Sequence, residues 1–262
     1  MDETNLHRQP IYGMHHIGSS KAEAAAGVLR ALNPDVEVMP RAEWFDPALG
    51  NAQMADVDLA LACADTFAVS LTLSDLCRDA AVPLITASAL GVEGYALGCC
   101  GTAPSLRAIF PDLPAQAGTC ATAGVMGPLV GMIGSLQAQM ALSVLVGANP
   151  SPLGQVVRFS SRDWRAGSFR FDGAPEPASP LPFIAETQIR ANDTVVDLRT
   201  ESPRPFVERA LHMDRNALPH LTQKDHERIV LACRTGLRAH NGGQALQRIW
   251  PGEIALLALP NH

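Results

Sequence analysis

Short, nearly continuous apolar runs of strand length alternate with helix-length segments over the first half of the chain. Residues 58–63 (DLALAC) and 83–89 (PLITASA) are two such runs, with a helical segment at 67–80 between them. A strand that is apolar at successive positions is expected to be buried on both faces, as in a parallel sheet covered by helices. We therefore predict an α/β fold. The remaining elements of this pattern are strands at 36–39 and 95–100 and a helix at 20–32.

The longest uncharged segment lies at 125–147, after a loop at 102–119 that is rich in Pro, Gly and Ala. This segment is long enough to cross a bilayer. It also contains four glycines, Pro128 and two glutamines, and it lacks flanking Trp, Tyr or Lys anchors. A helix buried against the sheet explains it better than a membrane span, so we predict no membrane partner. A closing hairpin is predicted at 155–159 and 168–171.

A proline-rich stretch at 172–186 divides the chain into two predicted domains, 1–171 and 187–262, and we interpret it as a linker. A second, smaller α/β pattern follows it. In this part we predict strands at 194–198, 229–232 and 254–259, and helices at 203–211 and 236–250.

The overall charge and the cysteine pattern narrow the possible functions. The net charge is −6 and the pI is about 5.7. Nucleic-acid binding needs clustered Lys and Arg, and here they are scattered, so we predict no nucleic-acid partner. The six cysteines form no CxxC pair, so the sequence does not support a structural zinc site. Unpaired cysteines behind a polar N-terminus favour a reducing cytoplasm.

Cys233 stands at the end of a buried strand, in the stretch IVLACRTGLRAH. The five residues after it turn into a helix. This arrangement surrounds the sulfur with backbone N–H groups at the positive end of a helix, and Arg234 and Arg238 add charge. Such a site stabilises a thiolate or a persulfide anion. The alternative interpretation is a structural cysteine at a strand end.

The Cys-Arg-x-Gly-x-Arg loop, with the VVDLR strand before it, resembles rhodanese-like sulfurtransferases. The resemblance implies that Cys233 accepts sulfane sulfur as a persulfide. The chain departs from that family between the strand and the loop. The usual His-x-x-Gly-Ala segment is missing there, and only Leu211-His212-Met213 stands near its place.

Three stretches of the larger part are candidates for chemistry. Arg8 and Lys21 lie on either side of a predicted helix start, where basic residues bind a triphosphate. Asp65 follows a buried strand at the carboxyl edge of the sheet, a position that suits magnesium held by triphosphate oxygens. Cys120 precedes a Gly-rich helix start, an electropositive setting. Each residue also has an alternative interpretation without chemistry. Lys21 would be a solvated helix residue, Asp65 a helix cap and Cys120 a loop thiol.

Taken together, these stretches resemble the ThiF/MoeB/HesA family of ubiquitin-like protein activators, from Asn5 to about Phe171. The resemblance implies that Asn5, Arg8 and Lys21 contact ATP and that Asp65 binds magnesium or orients ATP. It also implies that Cys120 takes part in sulfur transfer. The reaction would be adenylation of the C-terminal glycine of a small sulfur carrier. The partners would be that carrier, a persulfide sulfur donor and a second copy of the chain, in a homodimer.

The chain also departs from the ThiF-type pattern. That family's first strand and Gly-rich phosphate loop precede the Asn-Leu-x-Arg-Gln segment, and this sequence begins at that segment. Ser105 and Ala108 stand where the first pair of zinc cysteines is found, and Thr66 replaces the usual asparagine. A partial Rossmann-like fold is therefore expected. A start codon placed too late, or a truncated gene, competes with a genuine pseudo-activator as the explanation.

Three functions follow from these patterns. The first is ATP-dependent adenylation of a thiamin- or molybdopterin-type sulfur carrier, coupled to sulfur transfer. The second is a plain sulfurtransferase in which Cys233 alone is active. The third is a non-catalytic scaffold that binds the carrier without nucleotide, because the Gly-rich loop is missing.

Overall fold

The computed structural model describes residues 1–114, 124–199, 206–221 and 228–260. In these ranges a first sheet of five strands has the order β1-β2-β3-β4-β5. The strands are β1 (Ala60–Ala62), β2 (Pro83–Leu90), β3 (Glu93–Cys100), β4 (Gln155–Ser160) and β5 (Arg165–Arg170). They confirm the predicted strands at 58–63, 83–89 and 95–100 and the predicted hairpin.

The first sheet is mixed, so the prediction of a parallel sheet is correct only for β1 and β2. The other three neighbouring pairs are antiparallel. The reason is the connection between β2 and β3, in which Leu90 pairs with Glu93 and leaves two residues for the turn. Gly91 occupies the first turn position with φ of 59°. A two-residue hairpin joins antiparallel strands, whereas parallel strands need a long crossover.

The described helices include α1 to α6, and short 3-10 turns lie between them. Their bounds are α1 (Lys21–Leu32), α2 (Pro47–Gln53), α3 (Phe67–Asp79), α4 (Leu106–Ile109), α5 (Gly127–Leu145) and α6 (Leu237–Leu246). At the start of α1, the Ser20 hydroxyl accepts a hydrogen bond from the Glu23 N–H. Asn33 and Pro34 follow its end, as the sequence predicts.

The predicted strand at 36–39 is wrong, because this segment is not a strand in the structure. Val36 and Met39 are exposed, and the Val38 carbonyl accepts a hydrogen bond from the Arg30 guanidinium, 2.5 Å away. A strand needs a neighbouring strand to satisfy its backbone, and the described part of the chain offers none beside this segment. β1 is an edge strand for the same reason, with Leu61 exposed on it.

α5 packs on β2 and β3 through Leu129, Ile133 and Met140, which are buried. The amide nitrogen of Gln137 donates to the carbonyls of Ala62 and Ile85, 3.0 and 3.1 Å away, and so joins β1 to β2. Among the described helices, α5 alone is long and apolar enough to cross a membrane. Its opposite face exposes apolar residues.

A second sheet of four parallel strands has the order β7-β6-β8-β9. The strands are β6 (Thr194–Asp197), β7 (Leu211–His212), β8 (Ile229–Cys233) and β9 (Ile254–Ala258). The predicted helix at 203–211 is wrong in its described part, 206–211, which contains bends, turns and the start of β7. Leu211 pairs with Val196, so pairing with β6 overrides the local helical pattern.

The segment 172–186, predicted as a linker, is packed against both sheets. Leu181, Phe183 and Ala185 are buried in it. The Ile184 N–H donates to the Leu256 carbonyl, and the Leu256 N–H donates to the Pro182 carbonyl, both at 2.8 Å. One apolar core cluster continues from the first sheet through this segment into the second. The division of the chain into domains 1–171 and 187–262 stays a prediction.

Two polar contacts hold the connecting segment on the first sheet. The N–H and the hydroxyl of Ser105 both donate to the Glu176 carboxylate at 2.6 Å, in the region where the family resemblance places zinc cysteines. The Arg107 guanidinium is almost fully buried and donates to both carboxylate oxygens of Asp75, at 2.7 and 2.8 Å. It also donates to the Leu181 carbonyl at 2.9 Å. Each contact satisfies a polar group that packing removes from water.

Replacing the buried guanidinium should destabilise the protein strongly. Arg107→Met keeps an apolar stem but leaves Asp75 and the Leu181 carbonyl without their partner. We expect the free energy of unfolding to fall by about 3 kcal/mol, measured by urea denaturation followed by circular dichroism. Arg165→Met is the matched control, because Arg165 is exposed and its pair with Asp163 is 3.4 Å long; its effect should stay within about 0.5 kcal/mol. Equal losses in the two variants would contradict this account.

Candidate functional site

Asn5, Arg8 and Lys21 meet at one oxygen atom. The Asn5 side-chain oxygen accepts a hydrogen bond from the Lys21 ammonium at 3.1 Å and from the Arg8 guanidinium at 3.3 Å. Asn5 is buried, and the 3-10 turn Glu3–Asn5 positions it. A second nitrogen of Arg8 donates to the Thr4 carbonyl at 2.9 Å. The structure thus brings together these three sequence-predicted residues, with two cations held on one neutral acceptor.

This three-residue cluster lies next to the N-terminus of α5. A Cβ added to Gly127, the first residue of α5, would overlap the carbonyl oxygen of His7. Glycine is therefore required for the N-terminal segment to approach the helix so closely. No side-chain cap hydrogen bond forms at Met126, the N-cap of α5. A long helix presents unpaired N–H groups and a partial positive charge at this end, so the two cations and the helix together favour an anion.

Asp65 is exposed and lies between the end of β1 and the start of α3. The N-cap of α3 is Thr66, so the interpretation of Asp65 as the capping residue is wrong. Within the described ranges, no hydrogen bond or ion pair joins Asp65 to the Asn5–Arg8–Lys21 cluster. Convergence of Asp65 with that cluster stays a prediction. Cys120 lies outside the described residues.

The edge beside Asp65 contains a thiol that sequence reasoning gave no role. Cys63 directly follows β1, and its sulfur lies 3.7 Å from the side-chain oxygen of Gln137. Burial raises the pKa of the Cys63 thiol, and the contact with Gln137 acts in the opposite direction. The signal in the sequence was Gln137, an amide in the middle of an apolar helix. Such a residue needs buried polar partners.

Cys233 ends β8, and only 1% of its surface is exposed. The N–H of Ala239, in α6, donates to its sulfur at 3.4 Å. The N–H groups of Thr235, Gly236 and Arg238 also face the sulfur. Burial raises the pKa of the Cys233 thiol, and these backbone donors lower it. The predicted ring of donors is present, but burial is the larger effect, so the resting side chain is the neutral thiol.

The Cys233 loop contacts the helix that follows Asp65. The N–H of Ala68, in the first turn of α3, donates to the Thr235 carbonyl at 3.2 Å. Gly236 has φ of 84°, and a Cβ added there would lie 2.8 Å from the Ala68 Cβ and from the Phe183 ring. Sequence reasoning missed this contact, because it placed the two segments in separate domains. No local pattern identified Ala68 or Thr235.

The arginines of the loop differ in their surroundings. Arg234 is exposed. Arg238 is half-buried and donates to the Leu198 carbonyl at 3.3 Å, so it joins the loop to the end of β6. An open groove of about 620 Å³ lies elsewhere, along Arg30 and residues 34–40, and no candidate site residue lines it.

A family comparison decides the assignment of the first part of the chain. The model of the ThiF family matches residues 1–180. The chain belongs to the ThiF family. Cys233 lies beyond the matched range, so the rhodanese-like interpretation of the second sheet stays a prediction.

In the aligned segments, curated relatives are about a third identical to this ThiF-family chain. The SAMP-activating enzyme E1 of Haloferax volcanii is 32% identical over 202 residues, which cover 76% of this chain and 72% of that protein. The molybdopterin-synthase adenylyltransferase of Escherichia coli is 35% identical, over 60% of this chain and 64% of the relative. The adenylyltransferase and sulfurtransferase MOCS3 of Bos taurus is 36% identical, over 65% of this chain and only 37% of the relative.

Solved structures show the same α/β fold. A crystal structure of Escherichia coli MccB with MccA-N7isoASN superposes with a TM-score of 0.59 at 16% identity, over 68% of this chain and 56% of MccB. A crystal structure of MccB with ATP gives a TM-score of 0.56 over 68% of this chain and 55% of MccB. The predicted α/β class is therefore confirmed, and the fold over about two thirds of the chain resembles that of MccB.

The raised pKa of Cys233 predicts how its reactivity depends on pH. Because the folded state favours the neutral thiol, the thiolate should accumulate only above the ordinary thiol value of 9.0. The rate of alkylation by iodoacetamide, followed at the Cys233 peptide by mass spectrometry, should still rise at pH 9. In urea the midpoint should fall to the ordinary value. A plateau below pH 8 in the folded protein would show that the backbone donors outweigh burial.

Proposed function

We propose that the ThiF-family part of this chain takes part in adenylating the C-terminal glycine of a ubiquitin-like sulfur carrier, and that Cys233 supplies the sulfur. The observation that carries the first half is the shared contact of Arg8 and Lys21 with the Asn5 side-chain oxygen. Relatives named as a SAMP-activating enzyme and a molybdopterin-synthase adenylyltransferase support the reaction class. The relative named both adenylyltransferase and sulfurtransferase supports the coupling of two activities.

ATP fits the Asn5–Arg8–Lys21 cluster in charge. Two cations beside the N-terminus of α5 attract a polyphosphate, and the Arg8 guanidinium offers directed donors to its oxygens. Asp65 fits magnesium, because magnesium is usually held by one or two carboxylates together with phosphate oxygens and water. Asp65 is exposed at the carboxyl end of β1, the usual ligand edge of an α/β sheet. The 262 residues contain no Gly-x-Gly-x-x-Gly, so the main backbone cradle for phosphates is not among them.

In the proposed reaction, a carrier carboxylate oxygen bonds to the α-phosphorus of ATP while the bond from that phosphorus to pyrophosphate breaks. Arg8 and Lys21 would balance the negative charge that develops on the phosphates. The terminal sulfur of a Cys233 persulfide then attacks the acyl carbon, and AMP leaves. This step forms an acyl disulfide. A thiol reductant cleaves its S–S bond, which releases the thiocarboxylate and leaves the reductant in a mixed disulfide with Cys233.

The contact between Ala68 and Thr235 supports a short path between the two half-reactions. It attaches the Cys233 loop to the helix that begins two residues after Asp65. The exposed apolar face of α5 supports the proposed homodimer, since residues such as Met132, Leu142 and Leu145 are exposed to solvent in the single chain. We place the activity in the cytoplasm, because the cysteines of the described ranges are free thiols.

A second candidate function is sulfur transfer by Cys233 alone. The ring of backbone donors around the sulfur favours it, because the ring does not depend on nucleotide. A carrier-binding protein without catalysis is the third candidate, and the lack of a Gly-x-Gly-x-x-Gly stretch among the 262 residues favours it.

Adenylation predicts ATP–pyrophosphate exchange that depends on a sulfur carrier and on Lys21. We expect exchange with a ubiquitin-like sulfur carrier that ends in glycine, using the chain together with any in-frame sequence that precedes Met1 in its gene. Lys21→Met should lower the exchange rate by about tenfold or more, because a charge-assisted contact is lost. Arg30→Met, on the exposed face of α1, is the control and should have little effect. Carrier binding measured by calorimetry without any exchange would favour the scaffold instead.

Sulfur transfer predicts that persulfide formation from thiosulfate requires Cys233. The thiolate attacks the outer sulfur of thiosulfate and sulfite leaves, so released sulfite and a 32 Da mass increase of the protein are the measurements. Cys233→Ser should abolish both, because the hydroxyl does not accept sulfane sulfur. Asp65→Ala should leave both unchanged. Persistence of the activity in Cys233→Ser would rule out the sulfurtransferase half of the proposal.

A further inference from the structure

The start of α3 is capped by the Cys233 loop. Thr66, its N-cap residue, forms no side-chain cap hydrogen bond, and the Thr66 hydroxyl oxygen is buried without a partner. The N–H of Ala68, the second helical residue, is one of the donors that lack a partner within the helix. It donates instead to the Thr235 carbonyl at 3.2 Å. A backbone group of the second sheet's loop therefore does for α3 what a capping side chain usually does.

The same hydrogen bond orients a donor toward the sulfur of Cys233. The Thr235 carbonyl and the Gly236 N–H belong to one peptide group, which is planar, so in a trans peptide they point in opposite directions. The carbonyl points outward to Ala68, and the N–H points inward to the Cys233 sulfur. Fixing the carbonyl on α3 therefore also fixes the direction of the N–H.

Close packing on both sides holds this peptide group in place. Gly236 has a left-handed backbone with φ of 84° and lies between Ala68 and Phe183. Ala68 and Phe183 are themselves buried, at 4% and 7% exposure. Any side chain at position 236 would have to displace one of them, so the loop has little freedom to turn the peptide over.

We propose that Ala68 is a positioning residue for Cys233: its backbone N–H, in the first turn of α3, orients the donor ring that stabilises the anionic sulfur. The inference rests on the proposed role of Cys233 as a sulfur acceptor. It adds that the ring is complete only when α3 is in contact with the loop, so sulfur chemistry in the second sheet depends on the first. Because α3 begins two residues after Asp65, the two candidate sites share this helix start.

The test removes the Ala68 N–H and leaves the helix. Ala68→Pro does this, because proline is tolerated in the first turn of a helix. Ala22→Pro is the matched control: Ala22 is also the second residue of its helix, α1. We expect Ala68→Pro to slow persulfide formation from thiosulfate at pH 8 by about tenfold, because the Gly236 N–H loses its fixed direction and with it a hydrogen bond to the anionic sulfur. The midpoint of the iodoacetamide pH profile at Cys233 should move upward. Ala22→Pro should change neither quantity.

A second pair of variants keeps the proposal testable if Ala68→Pro does not fold. Gly236→Ala would push the loop away from Ala68, whereas Gly91→Ala has the same sign of φ and nothing within 4 Å of the added Cβ. Gly236→Ala should show the slower reaction and the shifted profile, and Ala68→Gly in that background should restore part of the rate by removing one obstructing Cβ. Equal effects at Gly236 and Gly91, or no shift of the profile, would overturn the positioning role. Activity that survives Cys233→Ser would instead overturn the proposed function.

Discussion

The packing of the two sheets depends on one buried cation. Only 3% of the Arg107 surface is exposed, and burying such a charge is unfavourable unless several acceptors surround it. α3 supplies Asp75, and the connecting segment supplies the Leu181 carbonyl. Arg107 also affects His240 in α6. The pKa of His240 is lowered mainly by burial and next by the positive charge of Arg107. His240 therefore stays neutral. The single Arg107 side chain thus interacts with α3, with the connecting segment and with α6.

Local patterns predicted most of the elements but not the relation between the sheets. Residues 58–63 and 83–89 were recognisable because an apolar run has few alternatives to a buried strand. The segment at 36–39 (VEVM) also contains residues that favour strands, but it is not a strand, because strand formation depends on a neighbouring strand as well as on the segment itself. The helix predicted at 203–211 is wrong in its described part for the opposite reason, because Leu211 pairs with Val196 of a neighbouring strand. Pairing across the chain is information that a local window does not contain.

In the candidate site, too, local features were predictable from the sequence and contacts between distant segments were not. Arg8 and Lys21 were predictable from their places on either side of a helix start, and the family resemblance added Asn5 to them. The contact of Ala68 with Thr235 was not, because it joins segments assigned to separate domains, through backbone groups that carry no signature in the sequence. The Cys233 loop was recognisable from its glycine and its position between strand and helix. The burial of the Cys233 thiol, which opposes its ionisation, was not predictable from the sequence.

The two helix starts of the proposed active region have different tasks. At α3, the Ala68 N–H is already used by the Thr235 carbonyl, and an anion would have to displace that acceptor. At α5, no side chain caps the helix; Arg8 lies on the segment that touches Gly127, and Lys21 donates to the same Asn5 oxygen as Arg8. Negative charge from a nucleotide is therefore favoured at α5 and disfavoured at α3. This asymmetry leaves α3 free to orient the sulfur of Cys233, while the carboxylate of Asp65, two residues before the helix, is exposed to solvent.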